Sequence, residues 1–385
     1  MRVRRLLLLI FITAALLTGC HETKVSQVVT IEEPEKMIYA PWPCFRGDSS
    51  RTGFASKCRG PNGPALLWKY ETGHEIMSSP AVDEDGSVFI ASDDGNIYAL
   101  SYEGGFLWKY KTGSYASSGP AIGPGGMIVV GSDDSFIYAI GRDGKFIWKY
   151  KTGYYLGASP AFAPDGRILM SGEDGNIYCI GKDGNLIWKF KTENEVYASP
   201  SISSDGIIYN GSRDGNLYAL SGDGTLLWKY KAGGPISSTC AVNADGNIFF
   251  GDESGGFFCL DKTGKILWNH KFSKPVLSSP AVDPDGLCVI GVDDNKLYAF
   301  DKSGKPLWST ALGNKIFSSP IIARNKRIFT GCIDGNIYCL DGNGKIQWTF
   351  ATGGEIYSSP ALWDGRLYIG SYDNFIYVLG EIELL

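Results

Sequence analysis

The 385-residue chain has only three histidines, His21, His74 and His270. That scarcity leaves little room for histidine-based acid–base catalysis or for the common metal sites. No two of the nine cysteines are adjacent, and none has a metal-ligand spacing. No nucleophile elbow, phosphate loop or paired-histidine helix is present, and no helical periodicity of any length is visible to carry one. A basic excess is missing as well: the formal net charge is −5. Nucleic-acid binders normally show a basic face, so no nucleic-acid partner is expected. What the chain does have is glycine, 50 residues, with 13% aromatic and 44% apolar residues. Such a chain can bury a large core, and it is neither disordered nor collagen-like. Glycine with abundant tyrosine, phenylalanine and tryptophan favours many short strands joined by tight turns.

The first twenty residues read MRVRRLLLLIFITAALLTGC. Three arginines precede an apolar run from Leu6 to Leu17 that is short for a membrane span and is followed by small residues, the pattern of a secretory signal. Leu17-Thr18-Gly19-Cys20 resembles the bacterial lipoprotein box, which implies cleavage before Cys20 and lipidation of its thiol. No later run is apolar enough to span a bilayer, so the mature protein is expected to be soluble but tethered. His21, where an aspartate would favour inner-membrane retention, leans toward the outer membrane facing the periplasm in a Gram-negative host. In another host the expected site is the outer face of the cytoplasmic membrane. The organisation read from the sequence is a signal peptide over 1–19, a lipidated flexible tether over 20–40 and an extended arm over 41–64. A repeat domain follows over 65–380, then a tail over 381–385. Cys44 and Cys58 lie in the arm. Export makes a disulfide between them chemically accessible, and spacing alone leaves the pairing open.

A period of 40 residues dominates the rest. Tryptophan recurs at 68, 108, 148, 188, 228, 268, 308 and 348, with no insertion. Proline recurs at 80, 120, 160, 200, 280, 320 and 360, and Cys240 fills the missing beat. Each unit holds four short apolar runs separated by turn dipeptides such as Asp85-Gly86, Asp94-Gly95 and Gly104-Gly105. Four antiparallel strands per unit describe a propeller blade. The second and third runs are apolar throughout, as in sheets stacked face to face. The fourth alternates, Trp108 and Tyr110 against Lys109 and Lys111, and is placed outermost. The first tryptophan strand, Leu66–Glu71, precedes every complete set, and the last set has no tryptophan strand of its own. The reading is therefore an all-β, eight-bladed propeller of four-stranded antiparallel blades, closed three-plus-one by the N-terminal strand.

Ala139-Ile140-Gly141-Arg142-Asp143-Gly144-Lys145-Phe146-Ile147-Trp148 resembles the tryptophan-docking motif of PQQ-type (pyrroloquinoline quinone) propeller repeats, one residue short of the usual form. Ser79-Pro80-Ala81-Val82, Gly95-Asn96-Ile97-Tyr98-Ala99-Leu100 and Phe45-Arg46-Gly47 match as well, and the resemblance covers residues 41 to 380. Two branches of that family differ in what they imply. The quinoprotein dehydrogenases clamp their quinone with adjacent cysteines and use a calcium site; this chain has no adjacent cysteines, and clustered mouth carboxylates are not evident in its sequence. The outer-membrane β-barrel assembly lipoproteins of the BamB type are scaffolds of similar length, lipidation and blade number. The resemblance to them implies a non-enzymatic, monomeric, membrane-anchored scaffold with a protein partner in the cell envelope and no cofactor. The alternatives are a quinoprotein-type oxidoreductase and a glycan- or ligand-binding surface propeller.

The eight periodic tryptophans, Trp68, Trp108, Trp148, Trp188, Trp228, Trp268, Trp308 and Trp348, read as blade-docking residues. The aspartates read as turn formers and not as calcium ligands, and no metal site is expected. Cys179, Cys259 and Cys339 fill a slot held elsewhere by alanine and read as core thiols. Function is sought where the copies diverge, in the four residues that enter each first strand. These carry Tyr115, Tyr154, Tyr155, Tyr197, Phe317 and Tyr357, which form a candidate interaction surface because aromatics anchor interfaces.

Overall fold

The computed structural model describes residues 42–381. The signal peptide, the tether and Cys20 lie outside the described residues. Among the described residues the strands form eight sheets, each built on four antiparallel strands. In the first blade the chain runs outward through Ala81–Val82, Val88–Ala91, Asn96–Leu100 and Phe106–Lys111, and each strand pairs with the one before it. The next six blades repeat this order. In the eighth, Ala65–Glu71 pairs antiparallel with Phe375–Gly380, in register Leu66 with Leu379 and Glu71 with Phe375. The ring is closed by the N-terminal strand, as the strand count requires.

Burial follows strand position. The second and third strands are buried along their whole length in the first blade, whereas Phe106–Lys111 exposes Phe106, Leu107, Lys109 and Lys111 and half-buries Trp108 and Tyr110. Both Phe106 and Leu107 face outward because the pairing slips between Ala99 and Leu100, a bulge that breaks the alternation. The tryptophan rings join neighbouring blades. The Trp68 indole N–H donates to Tyr102 O at 2.9 Å, and Trp108 donates to Arg142 O at 2.8 Å, each in the outer turn of the next blade. The same turn presents Gly104, whose φ of +82° suits glycine and whose missing Cβ would lie 2.7 Å from the Trp68 ring. Trp148, Trp188, Trp228, Trp268 and Trp308 repeat the bond. The Trp348 indole N–H has no partner among the described residues.

Two further devices recur around the ring, each in seven of the eight blades. The first is an aspartate in the turn between the second and third strands. Asp94 accepts from the Tyr98 hydroxyl at 2.5 Å and from the Asn96 amide at 2.8 Å, which ties the turn to its own strand. The blade that carries Phe258 in place of the tyrosine carries Ser254 in place of the aspartate, so donor and acceptor change together. The second device is a circle of hydroxyls around the axis. Ser359 N–H donates to Ser79 Oγ at 3.0 Å, Ser319 N–H to Ser359 Oγ at 2.8 Å, and Ser279 N–H to Ser319 Oγ at 2.9 Å. The chain of bonds continues from blade to blade down to Gly119 N–H, which donates to Ser159 Oγ at 3.1 Å. Gly119 has no hydroxyl for Ser79, and there the circle is broken.

The arm does not lie along the outside. It makes a circuit of the channel, bonding to the ends of the innermost strands in blade order. Trp42 exchanges two backbone bonds with Val82, and Pro43 O accepts from Ile122 N–H at 2.7 Å. Ser49, Ser50, Thr52 and Gly53 then accept from Ile202, Val242, Val282 and Ile322. Phe54–Ala55 adds a short parallel strand beside Ile321–Ala323. This takes up N–H groups that would otherwise face the axis unpaired. Cys44 and Cys58 are separate buried thiols, not a disulfide. Cys44 lies close to Arg51, while Cys58 Sγ accepts from Gly365 N–H at 3.2 Å in the eighth blade; burial pushes each thiol up to about 11.

Candidate interaction site at the propeller mouth

Strand direction gives the ring two unlike faces. The turns after the first and third strands lie on one. The turns after the second strands and the crossings into each new blade lie on the other, here called the mouth. Backbone bonds knit the mouth segments together: Asp93 N–H donates to Glu75 O at 3.0 Å, and Ile76 N–H donates to Ser371 O at 3.2 Å.

Below the mouth the axis is filled by two arginines of the arm, Arg46 and Arg51, both fully buried. Arg46 donates to Arg51 O at 3.0 Å, to Pro320 O at 3.2 Å and to Pro280 O. Arg51 donates to Pro200 O at 3.1 Å, Phe45 O at 2.6 Å, Ser159 O at 3.1 Å and Pro160 O at 2.7 Å. The periodic prolines thus present a ring of carbonyls toward the axis, and the two guanidinium forks bridge it across several blades. Their side chains bond to carbonyls and to no carboxylate. Burial pulls Arg46 down to about 9 and lowers Arg51 too, with Asp48 opposing the shift in both. Sequence reasoning missed this pair. Its one signal was Phe45-Arg46-Gly47, which was read as a fold mark.

The six aromatics of the candidate surface lie on the mouth. Tyr115 and Tyr154 are 57% and 49% exposed, and Tyr155 and Tyr197 are also exposed. The structure sorts them into two groups. Tyr154 stacks on Tyr155 with centroids 4.2 Å apart, and His74 stacks on Tyr115 at 6.4 Å. On another sector Phe317 stacks on Tyr357 at 5.4 Å, and Tyr357 packs against Tyr372 at 4.6 Å. Tyr372 was not foreseen, because it belongs to a second-to-third-strand turn.

Those turns also correct an expectation. The mouth does gather carboxylates: Asp93, Asp133, Glu173, Glu253 and Asp293 occupy one turn position in five blades. They lie 40 or 80 residues apart in the chain, so only ring closure brings them to one surface. Burial, with Asp133 and Glu75 nearby, pushes Asp93 up to about 6. Burial, with Asp133 and Glu195 nearby, pushes Glu173 up to about 7. Among the described residues no cluster of histidine, cysteine, aspartate or glutamate is spaced to hold a metal ion.

A closed ring of 40-residue blades with a tryptophan-docked rim defines a PQQ-like β-propeller. The chain belongs to the β-propeller family described for the beta-alanine-activating enzyme, whose model matches residues 126–360. The family model of the outer membrane protein assembly factor BamB matches residues 60–154. No curated protein matches the sequence. Among solved structures, BamB from Moraxella catarrhalis is similar at TM-score 0.72 and 19% identity, over 83% of this chain and 100% of that one. A europium-containing methanol dehydrogenase is similar at TM-score 0.77 and 14% identity, over 89% of this chain and 98% of that one. The quinohemoprotein alcohol dehydrogenase from Comamonas testosteroni follows at 0.75 and 15%, over 90% and 82%. At such identities the likeness is one of fold, and fold does not fix activity.

Proposed function

We propose that this is a non-enzymatic envelope lipoprotein, anchored through Cys20, whose propeller is a protein-binding scaffold of the BamB kind. In a host with an outer membrane it would act in β-barrel protein assembly there. The observation that carries the reading is the mouth: the second and third strands barely change, whereas the copies diverge on that face and expose stacked tyrosines. Exposed rigid aromatics supply contact area at low entropic cost. The family-model match over residues 60–154 and the fold likeness to BamB support the same reading.

The fold likeness to two alcohol-oxidising enzymes favours a second reading, a quinoprotein oxidoreductase. The residues present do not fit that cofactor. Adjacent cysteines are missing from the sequence, and the two guanidinium groups occupy the axis beneath the mouth. The test is to cross-link the native lipoprotein in its own membranes and identify the attached peptides by mass spectrometry. Links from the mouth tyrosines to a β-barrel assembly protein are expected. Their absence, with quinone bound in a titration, would favour the enzyme.

A further inference from the structure

The mouth shows within itself how it holds a cation. The Arg213 guanidinium lies over the Tyr197 ring, 5.3 Å from its centroid. Its Nη1 is 3.4 Å from Glu195 Oε2, and its Nε is 3.4 Å from Glu253 Oε1. One aromatic face and two carboxylates enclose one positive charge. In the neighbouring blades the position of Arg213 is taken by Glu173, Asp133 and Asp93. Aromatic residues occupy the segments bonded to these turns: Glu173 N–H donates to Tyr155 O at 3.1 Å and Asp133 N–H to Tyr115 O at 3.0 Å, and Tyr154 stacks on Tyr155. The carboxylates of Asp93, Asp133 and Glu173 make no hydrogen bond or ion pair with any described residue, and Asp93 Oδ1 is buried without a partner. Among the described residues the basic groups that contact these acids or the adjacent Glu75 and Glu195 are His74, on Glu75, and Arg213, on Glu195; Lys111 and Lys191 bond instead to the Asp94 and Asp174 carbonyls in the same turns.

We propose that this sector of the mouth, across the first three blades, binds arginine or lysine side chains from a basic segment of a protein partner. The cation would lie on the Tyr154–Tyr155 stack, with its charge met by Asp133 and Glu173. The proposal rests on the protein-binding reading above and adds the chemistry of the partner. Charge complementarity supports it: an aromatic face flanked by unneutralised carboxylates attracts a cation more strongly than either feature alone. Burial, reinforced by the like charges beside them, raises Glu173 and Asp93 in keeping with that geometry.

The test uses the full-length protein and a blocked Ser-Gly-Arg-Gly-Arg-Gly-Ser peptide, with a twin in which citrulline replaces arginine. Citrulline keeps the shape and removes the charge. Calorimetric titration at pH 8 is expected to show the arginine peptide binding about tenfold tighter than its twin, the size of one cation–π contact with a partly desolvated ion pair. Asp133→Asn with Glu173→Gln, which preserves volume, is expected to abolish that difference. Lowering the pH to 5.5, which protonates Glu173, is expected to shrink it. Equal binding of the two peptides, or no binding of either, would overturn the proposal. A photo-cross-linker at position 154 separates the two readings. If the double variant still cross-links to its envelope protein, the scaffold stands and the basic-segment proposal falls. If position 154 of the unmutated protein captures no protein at all, the scaffold reading falls with it.

Discussion

Replacing Arg51 by methionine tests whether the arm is a structural part of the ring. Methionine matches the stem in length and adds no polar group. The change strands four carbonyl acceptors, those of Phe45, Ser159, Pro160 and Pro200, in a buried site. An unsatisfied buried acceptor costs about 1–3 kcal/mol, and bonds to a charged donor are the stronger kind. Against this, the variant no longer has to desolvate a guanidinium, which offsets part of the loss. The balance for breaking such a network is about 4 kcal/mol. Unfolding entropy of ~2.1 cal/mol/K per residue gives about 0.7 kcal/mol/K for the described domain. The expected drop in Tm is therefore about 6 °C. Differential scanning calorimetry measures it, and Arg51→Lys serves as the control. Lysine keeps the charge but cannot fork across carbonyls of several blades, so it is expected to recover little. A melt of Arg51→Met within about 1 °C of the unmutated protein would refute the argument that these bonds tie the blades together.

Deleting Ala65–Glu71 removes the outer strand of the eighth blade, and the transition is expected to broaden and shift down; a melt like that of the intact domain would sink the closure. Asp94 is raised by burial but lowered further by the hydrogen bonds from Tyr98, Asn96 and Gly73, so it ends below the usual carboxylate value. Its contribution is present above the unfolded value and lost as pH falls through the folded one. Asp94→Asn is accordingly expected to cost about 1 kcal/mol at pH 7 in guanidinium titrations and much less near pH 3. Glu173 has the opposite sign, because its folded value of about 7 lies above the unfolded one. Its stability is whole below the unfolded value and is lost as pH rises through 7. Glu173→Gln is expected to be more stable than the unmutated protein by about 1 kcal/mol at pH 8, after allowance for solvent screening, and equal to it at pH 4. A variant that is no more stable at pH 8 would show that the mouth charge is well solvated.

The blades, their number and the closure were legible because each rests on a feature repeated eight times. A tryptophan every 40 residues, with a turn glycine behind seven of the eight, leaves little freedom. The tie between Asp94 and Tyr98 was legible in principle, since Ser254 and Phe258 change together. The path of the arm was not, because it occurs once and its partners are backbone groups that every sequence has. Arg46 and Arg51 read as ordinary charges until the carbonyls of Pro160, Pro200, Pro280 and Pro320 are brought to one axis. The mouth carboxylates were missed for a related reason: each blade supplies one, and proximity in space has no counterpart in sequence spacing.

One stretch of chain, residues 42–71, performs two fastenings at once. It threads the hub and then forms the last spoke of the rim, where Leu66 meets Leu379. The segment made first can therefore be seated only when the segment made last has arrived. Local blades can form as they appear, but the distant pairing of Leu66 with Leu379 is deferred to the final step. Until then the unpaired edge of the eighth blade and the open axis stay available to other strands. Such an order keeps the ring unlocked until its last strand arrives and locks it only on completion.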